Sequence, residues 1–204
     1  MNDQETGLRA RLVTAGVELV TLEGVHALTL REIARRAGVS HGAPRRHFAT
    51  HVELLAAIAR HGFGELAAAL TRADDAVPGP GHGSGGSGRD PRARIAALAR
   101  AYLDFAADQP GMFDLMFRHD VLEGSGIGLR ATTLPLFEIF VRLVGELGTP
   151  TGVRPADATA ALWANLHGLA QLRSWGSLRL ASGSDDIGPL LDAALVAHLG
   201  PETR

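Results

Sequence analysis

The chain has no cysteine and no lysine among its 204 residues, one tyrosine and 5% aromatic residues. Without cysteine there is no disulfide, no thiolate metal site and no cysteine nucleophile. Without lysine there is neither a Walker-type phosphate loop nor Schiff-base chemistry. All 20 basic residues are arginines, a pattern that fits a GC-rich coding bias. A Gly-x-Ser-x-Gly elbow and a His-Glu-x-x-His pair are also missing, which weighs against a helical enzyme. No apolar run approaches the ~18 residues of a membrane span. The acidic opening MNDQE is unlike a signal peptide, so the expected location is cytoplasmic, with no membrane partner. A 46% hydrophobic content, mean hydropathy of +0.07 and net charge of −2 describe a globular chain with a sizeable core.

What is present is concentrated between Thr29 and Phe48, TLREIARRAGVSHGAPRRHF, which reads as two short helices joined by a glycine turn. Thr29 with Glu32 forms a capping box. Leu30, Ile33, Ala34 and Ala37 then fall on one face. Gly38 supplies the freedom to end that helix, Val39 pins the turn to the core, and Ser40 can cap a second helix from His41 to about Phe48. Pro44 falls in its first turn, where a missing N–H costs least. This is a helix-turn-helix, a device for entering the major groove of DNA.

Charge separates it from an ordinary helix pair. From Arg31 to His51 five arginines (Arg31, Arg35, Arg36, Arg45 and Arg46) face one acid, Glu32. Residues 1 to 72 carry nine arginines against seven acids, whereas the remainder is net −4. A basic N-terminal module with an acidic remainder suits one part that meets phosphate and another that does not. The expected DNA-binding set is Thr29, Arg31, Arg36, Ser40, His41, Gly42, Ala43, Arg45, Arg46 and His47. His47 and His51 have zinc-like spacing, but Thr50 opens a new helix between them, so no metal site or cofactor is expected.

The stretch from about Leu8 to Leu55 resembles the N-terminal domain of TetR-type transcriptional regulators, about a quarter of the chain. Helix-ending Gly24, the run from Thr29 to Ser40, and His47-Phe48 before a capped helix carry the likeness. The resemblance implies that residues after the turn serine dock in the major groove, and that an aromatic near position 45 or 46 meets a phosphate. Here Arg45 and Arg46 stand instead, compatible with phosphate or guanine but with no operator sequence implied.

The remaining pattern is helical, so the fold class is all-α: an N-terminal three-helix DNA-binding domain and a C-terminal helical ligand-binding and dimerisation domain. Leu8, Leu12, Ala15, Leu19 and Val20 predict a first helix ending at Gly24. Thr50 and Glu53 open a helix through Leu54, Leu55, Ile58 and Leu66. The boundaries expected are 1–50 for the DNA-binding domain, 51–73 for a connecting helix, 74–91 for a flexible Gly/Pro-rich loop and 92–204 for the second domain. Gly81-x-Gly83-x-x-Gly86 has the form of a dinucleotide fingerprint, but no strand precedes it. The Asp75–Arg89 stretch is expected to be dispensable. Further helices are expected over Arg92 to Asp108, 127–147, 155–180 and 187–199, with a short apolar piece from Met112 to Phe117.

In the second half, Leu162-Leu166-Leu169 and Trp163-His167-Ala170 form two adjacent stripes. With Leu190, Leu191, Ala194 and Leu195 they offer material for a helix-pair interface in a homodimer, which a palindromic operator in double-stranded DNA requires. Ala101-Tyr102-Leu103, Phe105-Ala106, Pro110, Met112-Phe113, Met116-Phe117 and Trp163, His167, Gly168 resemble the TetR-family C-terminal domain named for its Trp-His-Gly residues. That likeness implies a small-molecule effector. The expected ligand-binding residues are Tyr102, Phe105, Met112, Phe113, Met116, Phe117, Phe137, Phe140, Trp163 and His167, an apolar lining with few polar groups. The reading is a repressor released by an apolar or amphipathic ligand. An activator, a ligand-independent regulator and a protein-interaction module are the alternatives.

Overall fold

The structure, a computed structural model, describes residues 3–79, 88–123 and 128–201. Every regular element among them is helical: α1 Asp3–Glu23, α2 Leu30–Arg36, α3 Pro44–His47, α4 His51–Ala76, α5 Pro91–Asp108, α6 Pro110–Met116, α7 His119–Leu122, α8 Arg130–Leu147, α9 Pro155–Ser174, α10 Ser177–Ser182 and α11 Gly188–Leu199, with a 3-10 turn at Val25–Ala27. They form two compact units, Met1–Glu65 with Gln109–Thr133, and Leu66–Asp108 with Leu134–Arg204. The expected boundaries had placed residues 109–133 in the second domain, whereas here they gather with the first unit. The reason is α6, which packs on α1. Gly111 permits that approach, since a Cβ there would lie 2.3 Å from the Val20 carbonyl oxygen.

The core of the first unit is the apolar face of α1, Leu12, Ala15, Leu19 and Val20, closed by Ile33, Phe48, Leu54 and Ile58. Gly16 lets α4 come close, because a Cβ at that position would meet Ile58 Cδ1 at 2.2 Å. Gly62 of α4 likewise lets α6 come close, with a Cβ there falling 2.6 Å from the Met112 sulfur and 2.7 Å from that of Met116. Close packing thus offsets the helix propensity that glycine loses.

In the second unit α9 neighbours α5, α10 and α11. Leu162, Leu166 and Ala170 of α9 are buried with Ile95, Leu98, Ala99 and Tyr102 of α5 and with Leu191, Ala194 and Leu195 of α11. Arg92 at the start of α5 donates to the carbonyls of Leu199 and Gly200, satisfying orphan acceptors at the end of α11. The expected helix over 155–180 is divided. Gly176 adopts φ +72°, a left-handed conformation that stops α9 and re-aims the chain into α10. The long helix before the glycine-rich stretch also runs further than expected, through Asp74 and Asp75 to Ala76. Asp74 is held by Arg94 at 2.7 and 2.8 Å and receives Arg89 on its backbone carbonyl. The Arg94 guanidinium keeps the Asp74 carboxyl below its ordinary range. Residues 80–87, with the dinucleotide-like glycines and most of the expected dispensable loop, lie outside the described residues.

Candidate nucleic-acid interface

The helix-turn-helix is built from local hydrogen bonds. Thr29 caps α2, its hydroxyl accepting from the Glu32 N–H at 3.2 Å. Only half of the expected capping box forms, since the Glu32 carboxylate turns outward to take Arg35 at 2.9 and 3.1 Å. That guanidinium lowers the Glu32 carboxyl from its ordinary value. At the other end Val39 N–H reaches the Ala34 carbonyl at 3.0 Å and Gly38 N–H the Arg35 carbonyl at 3.1 Å, with Gly38 at φ +66°. This is a Schellman motif, and glycine is the residue that its left-handed position favours. Arg11 of α1 donates to the Ala37 carbonyl at 2.6 Å and ties the turn to α1.

The second helix is shorter than expected, Pro44–His47 rather than His41 to Phe48, and its N-cap is Ala43 rather than Ser40. Pro44 has no N–H to give to the Ser40 carbonyl, so the preceding turn closes one residue tighter, from Ala43 N–H to Ser40 O at 2.9 Å. The first full α-helical bond is then Phe48 N–H to Pro44 O at 2.9 Å. A second cap follows at once, with Thr50 Oγ1 accepting from Glu53 N–H at 3.1 Å while Glu53 reaches back to Ala49 N–H at 2.8 Å. His51 Nε2 meets the Leu28 carbonyl at 2.6 Å.

Thr29, Arg31, Ser40, His41, Gly42, Arg45 and Arg46 are exposed and His47 is half-buried. Ala43 departs from the expected contact set, being 8% exposed beside buried Pro44 and Phe48, with its methyl group in the core. Arg36 is half-committed, its guanidinium lying 3.0 Å from Glu23 and 3.9 Å from Glu18. With Arg35 on Glu32, the positive charge of α2 is largely answered within the molecule. Arg31, Arg45 and Arg46 have no carboxylate partner among the described residues. The basic face therefore centres on α3.

The residues expected to bind ligand divide between the units. Met112, Phe113, Met116 and Phe117 belong to the first, where Phe117 meets Phe113 at 4.8 Å and Phe63 edge-on at 5.6 Å between ring centres. Phe63 escaped the sequence reading, although it falls one residue after Gly62 on the same helix. Tyr102, Phe105, Phe137, Phe140, Trp163 and His167 belong to the second unit. Phe105 is buried in α5, while Phe137 and Phe140 are half-buried on α8. Trp163 Nε1 donates to the Tyr102 hydroxyl at 3.3 Å, and that hydroxyl lies 2.9 Å from His167 Nδ1. Burial raises the Tyr102 phenol well above its ordinary range and lowers His167 below its own. A neutral imidazole accepting from a protonated phenol at Nδ1, and so carrying its proton on Nε2, fits both shifts.

Residues 95–197 match the family model "Tetracyclin repressor-like, C-terminal domain", and residues 12–58 match "Bacterial regulatory proteins, tetR family". The chain belongs to the TetR family. Over 101 residues, 50% of this chain and 43% of the relative, it is 36% identical to the HTH-type transcriptional regulator BetI of Rhizobium meliloti. The TetR-family chain thus spans under half the length of that curated relative. A protein of unknown function from Rhodococcus sp. RHA1 shares 30% identity and a TM-score of 0.73 over 94% of this chain and 93% of its own. The TetR-like regulator LfrR from Mycobacterium smegmatis, solved in complex with proflavine, shares the fold with a TM-score of 0.58 at 21% identity, covering 97% of this chain and 98% of its own. The TetR-family models and the curated relative describe transcription regulators rather than enzymes. Among the described residues no helix is long and apolar enough to cross a membrane.

Proposed function

We propose that this chain is a homodimeric, cytoplasmic DNA-binding regulator that represses transcription until a small apolar or amphipathic molecule binds its C-terminal unit. The observation that carries the reading is α3, where Arg45 and Arg46 stand exposed on a helix whose other side, Ala43, Pro44 and Phe48, is anchored in the core. An anchored helix holds in place the backbone from which the guanidinium groups reach phosphate and base edges. Thr29, Arg31, Ser40, His41, Gly42 and His47 complete the face, and Arg36 contributes once released from Glu23.

One reading head covers too few base pairs for a specific site, so a second copy is required. Of the residues expected to hold it, Leu162, Leu166, Ala170, Leu191, Ala194 and Leu195 are buried within a single chain, whereas His167, Leu169 and Leu190 are half-buried and Trp163 is 42% exposed. Leu172 of α9, Trp175 just beyond it and Val196 of α11 are 41%, 70% and 50% exposed and extend the apolar surface open to self-association. Large exposed apolar side chains of this kind mark interaction surfaces. The effector site is placed around Tyr102, Trp163 and His167, a polar group among aromatic neighbours, as orienting contacts in apolar sites require.

Selection of bound fragments from a random DNA pool tests the reading. Recovery of a palindrome with half-sites about one turn apart is expected. Failure to enrich any sequence, with no salt-dependent binding, would overturn it. A reporter carrying the recovered site should be silenced by the chain; activation would reverse the sign of regulation and leave DNA binding intact.

A further inference from the structure

The Arg9 guanidinium carbon lies 4.6 Å above the centre of the Phe48 ring. Phe48 directly follows Arg45, Arg46 and His47 and is itself 2% exposed, so Arg9 covers the one aromatic ring that ends the reading helix. Arg9 is exposed, as are Arg45 and Arg46. A guanidinium stacked on a ring is attracted through its flat face, which leaves the N–H donors at its edge pointing away in the plane. The ring contact therefore places the guanidinium without using its N–H donors. Contrast Arg11, two residues further along the same helix, whose donor is spent on the Ala37 carbonyl.

We propose that Arg9 is a DNA-backbone contact, seated on Phe48 at the end of α3 and donating to a phosphate beside the bases that α3 meets. The proposal rests on the helix-turn-helix binding DNA. It adds an α1 residue to an interface otherwise drawn from α2 and α3. Because the seat is the ring of Phe48, the phosphate contact and the position of α3 are set by the same packing.

The test measures binding of the recovered operator duplex between 50 and 200 mM salt for the full chain and for R9M, R9Q, R9K and R46A. Each phosphate contact contributes roughly 0.9 to the slope of log affinity against log salt. R9M and R9Q are expected to lower the slope by about one, so that the wild type's advantage shrinks about threefold across this range. R9K should keep the slope, since it keeps the charge. Thermal melting of each variant separates a lost contact from lost packing on Phe48. A wild-type slope in whichever neutral variant remains folded overturns the proposal and leaves Arg9 as a cover for Phe48. If R46A lowers the slope in that same experiment, DNA binding stands while the Arg9 contact fails. Absence of salt-dependent binding in the wild type overturns the underlying reading as well.

Discussion

Charge counted along the chain and charge available at a surface differ, and individual residues show why. Arg35 and Arg36 belong to a stretch with five arginines and one acid, yet both are answered, one by Glu32 three residues back and the other by Glu23 thirteen residues back. The first pairing is legible from helical spacing, but the second depends on how α1 lies against α2. Arg46 has no such partner among the described residues. Replacing it by Ala should weaken every DNA sequence alike and flatten the salt slope by about one unit, as measured by anisotropy titrations at several salt concentrations. A sequence-selective loss would reassign Arg46 to base reading. Asp74 gives a residue-scale test in the second unit. Its carboxyl is lowered chiefly by its hydrogen bond with Arg94, and the two side chains are only 18% and 13% exposed. A lowered carboxyl pKa contributes stability above the unfolded value and loses it as pH falls through the folded one. D74N should therefore cost on the order of 1 kcal/mol at neutral pH, and the gap should close as the pH drops below about 4. Urea melts across that range measure it.

At the scale of elements, signals carried by neighbours along the chain were legible and those carried by packing were not. The cap at Thr29, the left-handed Gly38 and the end of α1 at Gly24 are local, and each stands where its residue type implies. The start of α3 was displaced because Pro44 removes the bond that Ser40 would have closed, a consequence of the same residue that made the helix plausible. The break at Gly176 was missed because an isolated glycine is also tolerated inside a helix, and only its φ distinguishes the two cases. Residues 109–133 read as part of the second half because their pattern is merely apolar. Their docking depends on Gly111, whose lack of a side chain is a packing fact. G111A should accordingly lower stability by about 1–3 kcal/mol, because the obstacle is the Val20 carbonyl, a backbone atom with little room to yield. A melting temperature unchanged in that variant would show that α6 can shift. By contrast, removing four residues from within 80–87 should leave stability within about 1 kcal/mol, since loop closure varies slowly with length. The ion pairs of Arg89 and Arg94 with Asp74 lie outside the deletion and keep its two flanks together. A larger loss in calorimetry would show that the deleted residues make contacts of their own.

For the whole molecule, the proposed regulation requires that the effector distinguish two arrangements of the reading heads. α4 contributes residues His51–Glu65 to one unit and 66–76 to the other, which makes it the segment through which the proposed coupling would run. Its first residue is tied to the Leu28 carbonyl by His51, which attaches the helix to the base of the helix-turn-helix. In the proposed dimer, two heads entering successive major grooves must stand about 34 Å apart, and a tilt of α4 in each copy would alter that separation. An effector bound beside Tyr102, Trp163 and His167 can cause release only if it binds the DNA-incompetent arrangement more tightly. A preference of about 1–3 kcal/mol corresponds to a five- to 150-fold loss of operator affinity, and linkage requires the operator to weaken effector binding by the same factor. The measurement has two arms: hydrophobic compounds that raise the melting temperature are titrated against the operator complex, and each is then titrated against the protein with and without operator. Equal factors in both arms are expected, reduced together in Y102F, which removes the hydroxyl shared by Trp163 and His167. If compounds that protect the wild type and lose that protection in Y102F leave operator affinity unchanged, the site binds small molecules without governing DNA, and the coupling through α4 is refuted.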